Sequence, residues 1–181
     1  MVWTSPMTAV AGNTFAASQY NLYVRDNLLE SGVAKLTAAN GTFVTDSANS
    51  VAARYPVGSA IVTTDQSTTS ASYIDLATPG PSVTLTTGTD AIIIWAARLY
   101  NSLAEYAVYC SYEVSGASTF SPDSSVSLIR DGMGTSGRQR AGMMQARTNL
   151  TPGINTFTMK YKVFSSGTGS FAFRQIIVIP I

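Results

Sequence analysis

Asn155-Thr156-Phe157-Thr158-Met159-Lys160-Tyr161-Lys162-Val163-Phe164 alternates polar and apolar residues over nearly its whole length. Successive side chains of a β-strand point to opposite faces, so Phe157, Met159, Tyr161 and Val163 share one face. Thr156, Thr158, Lys160 and Lys162 share the other, the pattern of a sheet with one side on a core and one in water. Working outward, strand patterns bounded by turn residues recur at 60–64, 71–76, 83–86, 91–99, 106–114, 125–130, 140–147, 155–164 and 170–179, with no helical period between them. Two of these stretches, Ala91-Ile92-Ile93-Ile94-Trp95-Ala96-Ala97 and Ile176-Ile177-Val178-Ile179-Pro180-Ile181, are apolar on both faces. The first reads as a central strand whose outer face is covered by the arm, by the helix or by a neighbouring subunit. In the second, Pro180 ends the pairing without breaking an interior ladder. Nine short strands with Gly, Pro and Ser turns predict a mainly β chain, an antiparallel β-sandwich of jelly-roll type. No internal repeat points to a propeller or solenoid.

Ahead of this domain, assigned to 60–181, residues 1–59 read as an N-terminal anchoring arm. In Thr14-Phe15-Ala16-Ala17-Ser18-Gln19-Tyr20-Asn21-Leu22-Tyr23-Val24-Arg25-Asp26-Asn27-Leu28-Leu29-Glu30-Ser31, Phe15, Leu22 and Leu29 recur every seven residues and Tyr20, Val24 and Leu28 every four. That predicts one short helix over about 15–31, capped by Thr14 or Ser18 and ended by Gly32. A helix of this length is marginal alone and needs its apolar stripe covered. From 32 to 58 no period persists, which reads as an extended linker. The leader Met1-Val2-Trp3-Thr4-Ser5-Pro6 lacks the basic region and apolar run of a secretory signal. It is therefore expected to stay on the protein, with Trp3 seeking a partner surface.

Composition excludes much chemistry. Only 12% of residues are charged while 45% are hydrophobic, and the formal net charge is +1. Nothing in this favours nucleic acid or an anionic membrane as partner. The longest apolar run is too short to span a bilayer. The single Cys110 allows no internal disulfide or multi-cysteine metal site and reads as a small core residue. The absence of histidine removes Ser-His-Asp, Cys-His and His-based metal sites. The ten acids are scattered, with Asp46, Asp65, Asp90, Asp123 and Asp131 at turn or cap positions. No enzymatic activity, catalytic residue, metal or cofactor is expected. Gly132-Met133-Gly134-Thr135-Ser136-Gly137 matches the pyrophosphate-cradling glycine pattern, but no helix and no ribose-binding acid follow, so it reads as a loop. The sequons at Asn40 and Asn149 read as chance matches. Arg130, Arg138, Arg140 and Arg147 form a basic cluster, read first as polar strand positions or a rim between subunits and second as an anion site.

Trp3-Thr4-Ser5-Pro6, Ala9-Val10-Ala11-Gly12, Tyr20-Asn21 and Val24-Arg25-Asp26-Asn27-Leu28 together resemble the N-terminal signature of small structural proteins of tailed bacteriophages, especially those of actinobacterial hosts. Tyr73-Ile74-Asp75-Leu76, the stretch Leu150-Thr151-Pro152-Gly153-Ile154-Asn155-Thr156-Phe157 and the closing isoleucines resemble the compact β-sandwiches of virion proteins that commonly trimerise. The resemblance implies a virion subunit with an arm docked on the particle and an outward β-domain. It brings no catalytic motif.

The resulting expectation is a capsid decoration or minor capsid protein that docks on the head and stabilises it. It would be made in the host cytoplasm and end on the particle surface, with the major capsid protein or other virion subunits as partners, and no nucleic acid or membrane. The alternative is a minor tail or fibre-like protein binding host saccharides through Tyr100, Tyr106, Tyr109 or Tyr112. Trp3, Pro6, Phe15, Leu22, Val24 and Leu28 are the expected docking residues. Ile92, Ile94 and Trp95 are the expected interface of a homotrimer.

Overall fold

The computed structural model describes all residues except 1–3, 6, 9, 30, 49 and 132–136, and only the backbone of 32 and 33. The chain forms two units, Met1–Tyr55 and Pro56–Ile181. In the first, α1 (Ala17–Tyr20) runs into a π-wound turn (Asn21–Arg25) and then α2 (Asp26–Leu29). The expected helix is therefore present but shorter, with a wide turn in its middle. Gly32 does not end it: Ser31 is extended and Gly32 opens a further turn, α3 (Gly32–Lys35). The stretch expected to be an extended linker carries an antiparallel hairpin, β1 (Thr42–Ser47) and β2 (Ser50–Arg54). Thr42, Val44, Thr45 and Val51 supply the β-branched residues that favour it. Its period escapes notice because no residue of either strand is fully buried, so neither face is marked by alternation.

The second unit holds β3 (Val57–Gly58), β4 (Gln66–Thr68), β5 (Ser82–Thr87), β6 (Ala91–Asn101), β7 (Val108–Gly116), β8 (Leu128–Arg130), β9 (Gln139–Arg147), β10 (Gly153–Val163) and β11 (Gly169–Pro180). It starts ahead of the expected boundary at Ala60, because Val57 and Gly58 pair with Val178 and Ile177. One sheet runs β5-β10-β7-β8 and the other β3-β11-β6-β9, with β4 also on β11. With β3 and β4 counted as one interrupted strand, the sheets have chain orders 2-7-4-5 and 1-8-3-6. This is the jelly-roll sandwich, antiparallel throughout, in which most connections cross from one sheet to the other. Two expected strands shrink to single bridges, 60–64 to Val62 with Arg174 and 71–76 to Ile74 with Tyr161. The start of 125–130 is a 3-10 turn, Ser124–Val126. Asn40 and Asn149, the two sequon residues, sit at φ 65° and 61°, the left-handed turn conformation that asparagine tolerates.

Between the sheets, Ile93, Trp95 and Leu99 of β6 meet Cys110, Tyr112 and Val114 of β7, Phe157, Met159 and Tyr161 of β10 and Phe171, Ile176 and Val178 of β11. Trp95 is fully buried; its indole N-H donates to the Cys110 carbonyl at 3.2 Å and Tyr112 meets it edge-on at 5.0 Å. Burial pushes the Cys110 thiol well above its ordinary range, so it packs as an inert core side chain. The core also holds a charged residue. Arg174 continues the inward parity of Ile176 and Val178 beside a bulge between Ala172 and Gln175; it is fully buried and donates to the carbonyls of Thr78 (3.5 Å) and Gly80 (3.2 Å) and to Gln66 Oε1 (2.9 Å). Its guanidinium also lies 5.4 Å from the Tyr161 ring centre.

Candidate interaction surfaces

The two sheets differ on their outer faces. On β5-β10-β7-β8 that face is polar: Ser82 donates to Thr158, Thr84 and Thr156 share a hydrogen bond, and Lys160 pairs with Asp75 (2.7 Å) and Glu113 (3.0 Å). Partial burial works against the Lys160 charge, but the two carboxylates outweigh it and hold the ammonium above the usual lysine range. Lys162 lies between the rings of Tyr73 and Tyr109, 4.7 and 4.8 Å from their centres.

On β3-β11-β6-β9 the outer face is apolar. Ile92 lies between Ile179 and Ala146, Ile94 between Ile177 and Met144, and Ala96 opposite Gly142. The isoleucines are half-buried by one another, and Met144 is 67% exposed. A contiguous apolar sheet face rimmed by polar residues is what interaction surfaces look like. Of the three expected interface residues, Ile92 and Ile94 are on this face. Trp95 is not: alternation along β6 places it with Ile93 and Ala97 in the core, and its assignment to an oligomer interface is corrected.

The Arg residues group differently from expectation. Arg138 lies over the Tyr100 ring at 5.7 Å, as does the buried Arg130 at 5.8 Å, while Arg98 and Arg140 lie over Phe173 at 5.0 and 5.2 Å. Arg147 belongs to the far end of β9, on Tyr112 and Phe120, so Arg98 takes its place in the cluster. Of the tyrosines considered for saccharide stacking, Tyr112 is buried and donates to Gln145, whereas Tyr106 is exposed and Tyr109 packs beside the exposed Phe164.

In the first unit, Trp3 and Pro6 lie outside the described residues. Phe15, Leu22 and Leu28 are exposed, Leu28 by 63%, and Val24 is half-buried. The glycine-rich loop at 132–136 also lies outside the described residues. A residue that periodicity does not single out organises this unit: Asn27, buried, accepts from the Thr4 amide at 2.9 Å and donates to the Thr4 carbonyl at 2.8 Å and the Tyr23 carbonyl at 3.0 Å. This two-way bond mimics a strand pair and ties the leader to the helix. Asn27→Ala removes bonds worth about 1 kcal/mol each, so the Thr4 amide should exchange roughly tenfold faster or more while β10 amides are unchanged. Hydrogen exchange by NMR checks this, and an unchanged Thr4 rate would show that the leader is held elsewhere.

Among the described residues, no group of three or more Cys, Asp or Glu side chains could hold a metal, and no helix is long and apolar enough to cross a membrane. No protein-family model and no curated sequence matches the chain. Solved structures do share its fold. A structure of infectious bursal disease virus, Gt strain, superposes with a TM-score of 0.51 at 12% identity over 72% of this chain and 35% of the viral chain. The VP2 subviral particle of the same virus gives 0.50 at 13% identity over 76% of this chain and 37% of the other. This chain thus spans about a third of the length of those viral chains. At such identities the likeness establishes the β-sandwich fold.

Proposed function

We propose that this chain is a non-enzymatic virion structural protein, a capsid decoration or minor capsid protein. Its first unit docks on the major capsid protein and its sandwich associates with copies of itself as a trimer. The carrying observation is the contrast between the units. Residues 56–181 hold a full apolar core, whereas among the described residues of 1–55 the one buried side chain is the polar Asn27. A segment whose described residues bury no apolar side chain gains little against the entropy of ordering itself, roughly 1–2 kcal/mol per residue. Docking Phe15, Leu22 and Leu28 on a virion surface supplies that burial. The fold shared with the VP2 subviral particle is consistent with this role, as are a sequence without histidine and acids scattered rather than paired. On this reading the protein needs no cofactor, nucleic acid or membrane and resides on the particle surface after synthesis in the host cytoplasm.

The test compares particles assembled with and without the protein. Particles lacking it should open at lower temperature, and a chain truncated before residue 32 should fold as β-structure yet fail to join particles. Equal heat stability combined with failure to adsorb to cells would replace the decoration role with that of a tail adhesin.

A further inference from the structure

We propose that the β6–β9 end of the outer sheet face is a binding site for an anionic glycopolymer, formed by Arg98, Arg138 and Arg140 on the rings of Phe173 and Tyr100. This goes beyond the virion role and does not depend on self-association.

The site is built by backbone. The bulge on β11 places Phe173 at φ 50°, a left-handed conformation that is costly for a bulky side chain. Arg98 and Arg140 are register partners on β6 and β9, and both lie within 5.2 Å of the Phe173 ring centre. Like charges directly opposite each other destabilise a strand pair. Asp65 answers only one of them, at 2.8 Å from Arg98. Arg138 and Arg140 are exposed and have no ion-pair partner among the described residues. Arg98, Arg138 and Arg140 thus face one carboxylate, Asp65, with the buried Arg130 also on the Tyr100 ring, in a chain whose formal total is +1.

The geometry selects the ligand chemistry. A ring beneath a guanidinium takes up its flat face and limits its rotamers, leaving the N-H edges for acceptors in its plane. Such edges suit carboxylate, phosphate or sulfate oxygens. Arg138 and Arg140 are exposed and Arg98 half-buried, so a single small anion gains little from them. A polymer of repeating oxyanions engages several at once, and each contact raises the effective concentration for the next. Nucleic acid fits less well, because the rings that would stack bases are covered by guanidinium groups and the charge excess is small for a duplex.

The experiment uses the full chain and fluorescence anisotropy with labelled poly(glycerol phosphate) and polygalacturonate, beside neutral dextran and short duplex DNA. At least one anionic polymer should bind at low salt and dextran should not; which of the two binds identifies the source of the oxyanion. Arg138→Gln with Arg140→Gln should weaken binding about tenfold or more and flatten its salt dependence. Arg138→Lys with Arg140→Lys should keep the salt dependence while losing part of the affinity. Asp65→Asn leaves both exposed arginines in place and should tighten binding, which keeps the test valid if the glutamine variant misfolds. The proposal is overturned if neither anionic polymer binds, if the glutamine and wild-type proteins bind alike, if Asp65→Asn weakens binding, or if duplex DNA binds as tightly as the polymers.

Discussion

Trp95→Ala should lower the unfolding free energy of the sandwich by about 3–5 kcal/mol, the range for removing a large buried aromatic. The side chain is fully buried, donates to the Cys110 carbonyl and stacks edge-on against Tyr112, so truncation leaves a cavity and removes one hydrogen bond. Domains have about 5–15 kcal/mol in total, so the loss should be visible as a large fall in the denaturant midpoint followed by fluorescence or circular dichroism. The same substitution separates core from interface. Because Trp95 points inward, the fraction of variant that stays folded should associate as the wild type does. A stable variant that loses association would return Trp95 to the interface.

Arg174→Ala should destabilise the sandwich by about 3 kcal/mol, because neutral buried acceptors lose hydrogen bonds from a charged donor, each worth about 1.5–3 kcal/mol. The Thr78 and Gly80 carbonyls and Gln66 Oε1 lose a charged donor, and the guanidinium volume over Tyr161 becomes a void. Part of this is returned because no cation is buried any longer. Chemical denaturation measures the balance, and a change below about 1 kcal/mol would mean that water replaces the arginine and satisfies these acceptors. The 66–80 segment should loosen with it, seen as faster exchange of the Thr78 amide, which donates to Gln66 Oε1 at 3.2 Å.

Alternation made the fold legible where one face is polar. In 155–164 every second residue is a polar one, and the structure buries Phe157, Met159, Tyr161 and Val163 as that pattern requires. Along β6 the local run is apolar on both faces, so Ile92, Ile94 and Trp95 looked equivalent. The parity is settled a turn of the pleat further on, where Arg98 shares the face of Ile92 and Ile94 and marks it as the outer one. The bulge at Ala172 is not encoded by a glycine or proline, and so the switch of inward parity from Phe171 to Arg174 and Ile176 was not legible in the sequence. The clamp of Asn27 on Thr4 spans 23 residues and rests on side-chain geometry rather than on any period. The hairpin at 42–54 was hidden for a different reason: it buries almost nothing, and without a buried face a strand leaves little alternation to read.

The most direct test of the account is sedimentation equilibrium of the full chain at micromolar concentration, beside a variant carrying Ile94→Asp and Ile177→Asp. These residues are register partners on the outer face, so two carboxylates there disrupt an apolar contact without entering the core. The wild type should sediment at three times the 19.1 kDa chain mass and the variant at one, with unchanged circular dichroism. A wild-type monomer throughout the concentration range, or a variant that associates as before, would contradict the claim that this sheet face is an interface.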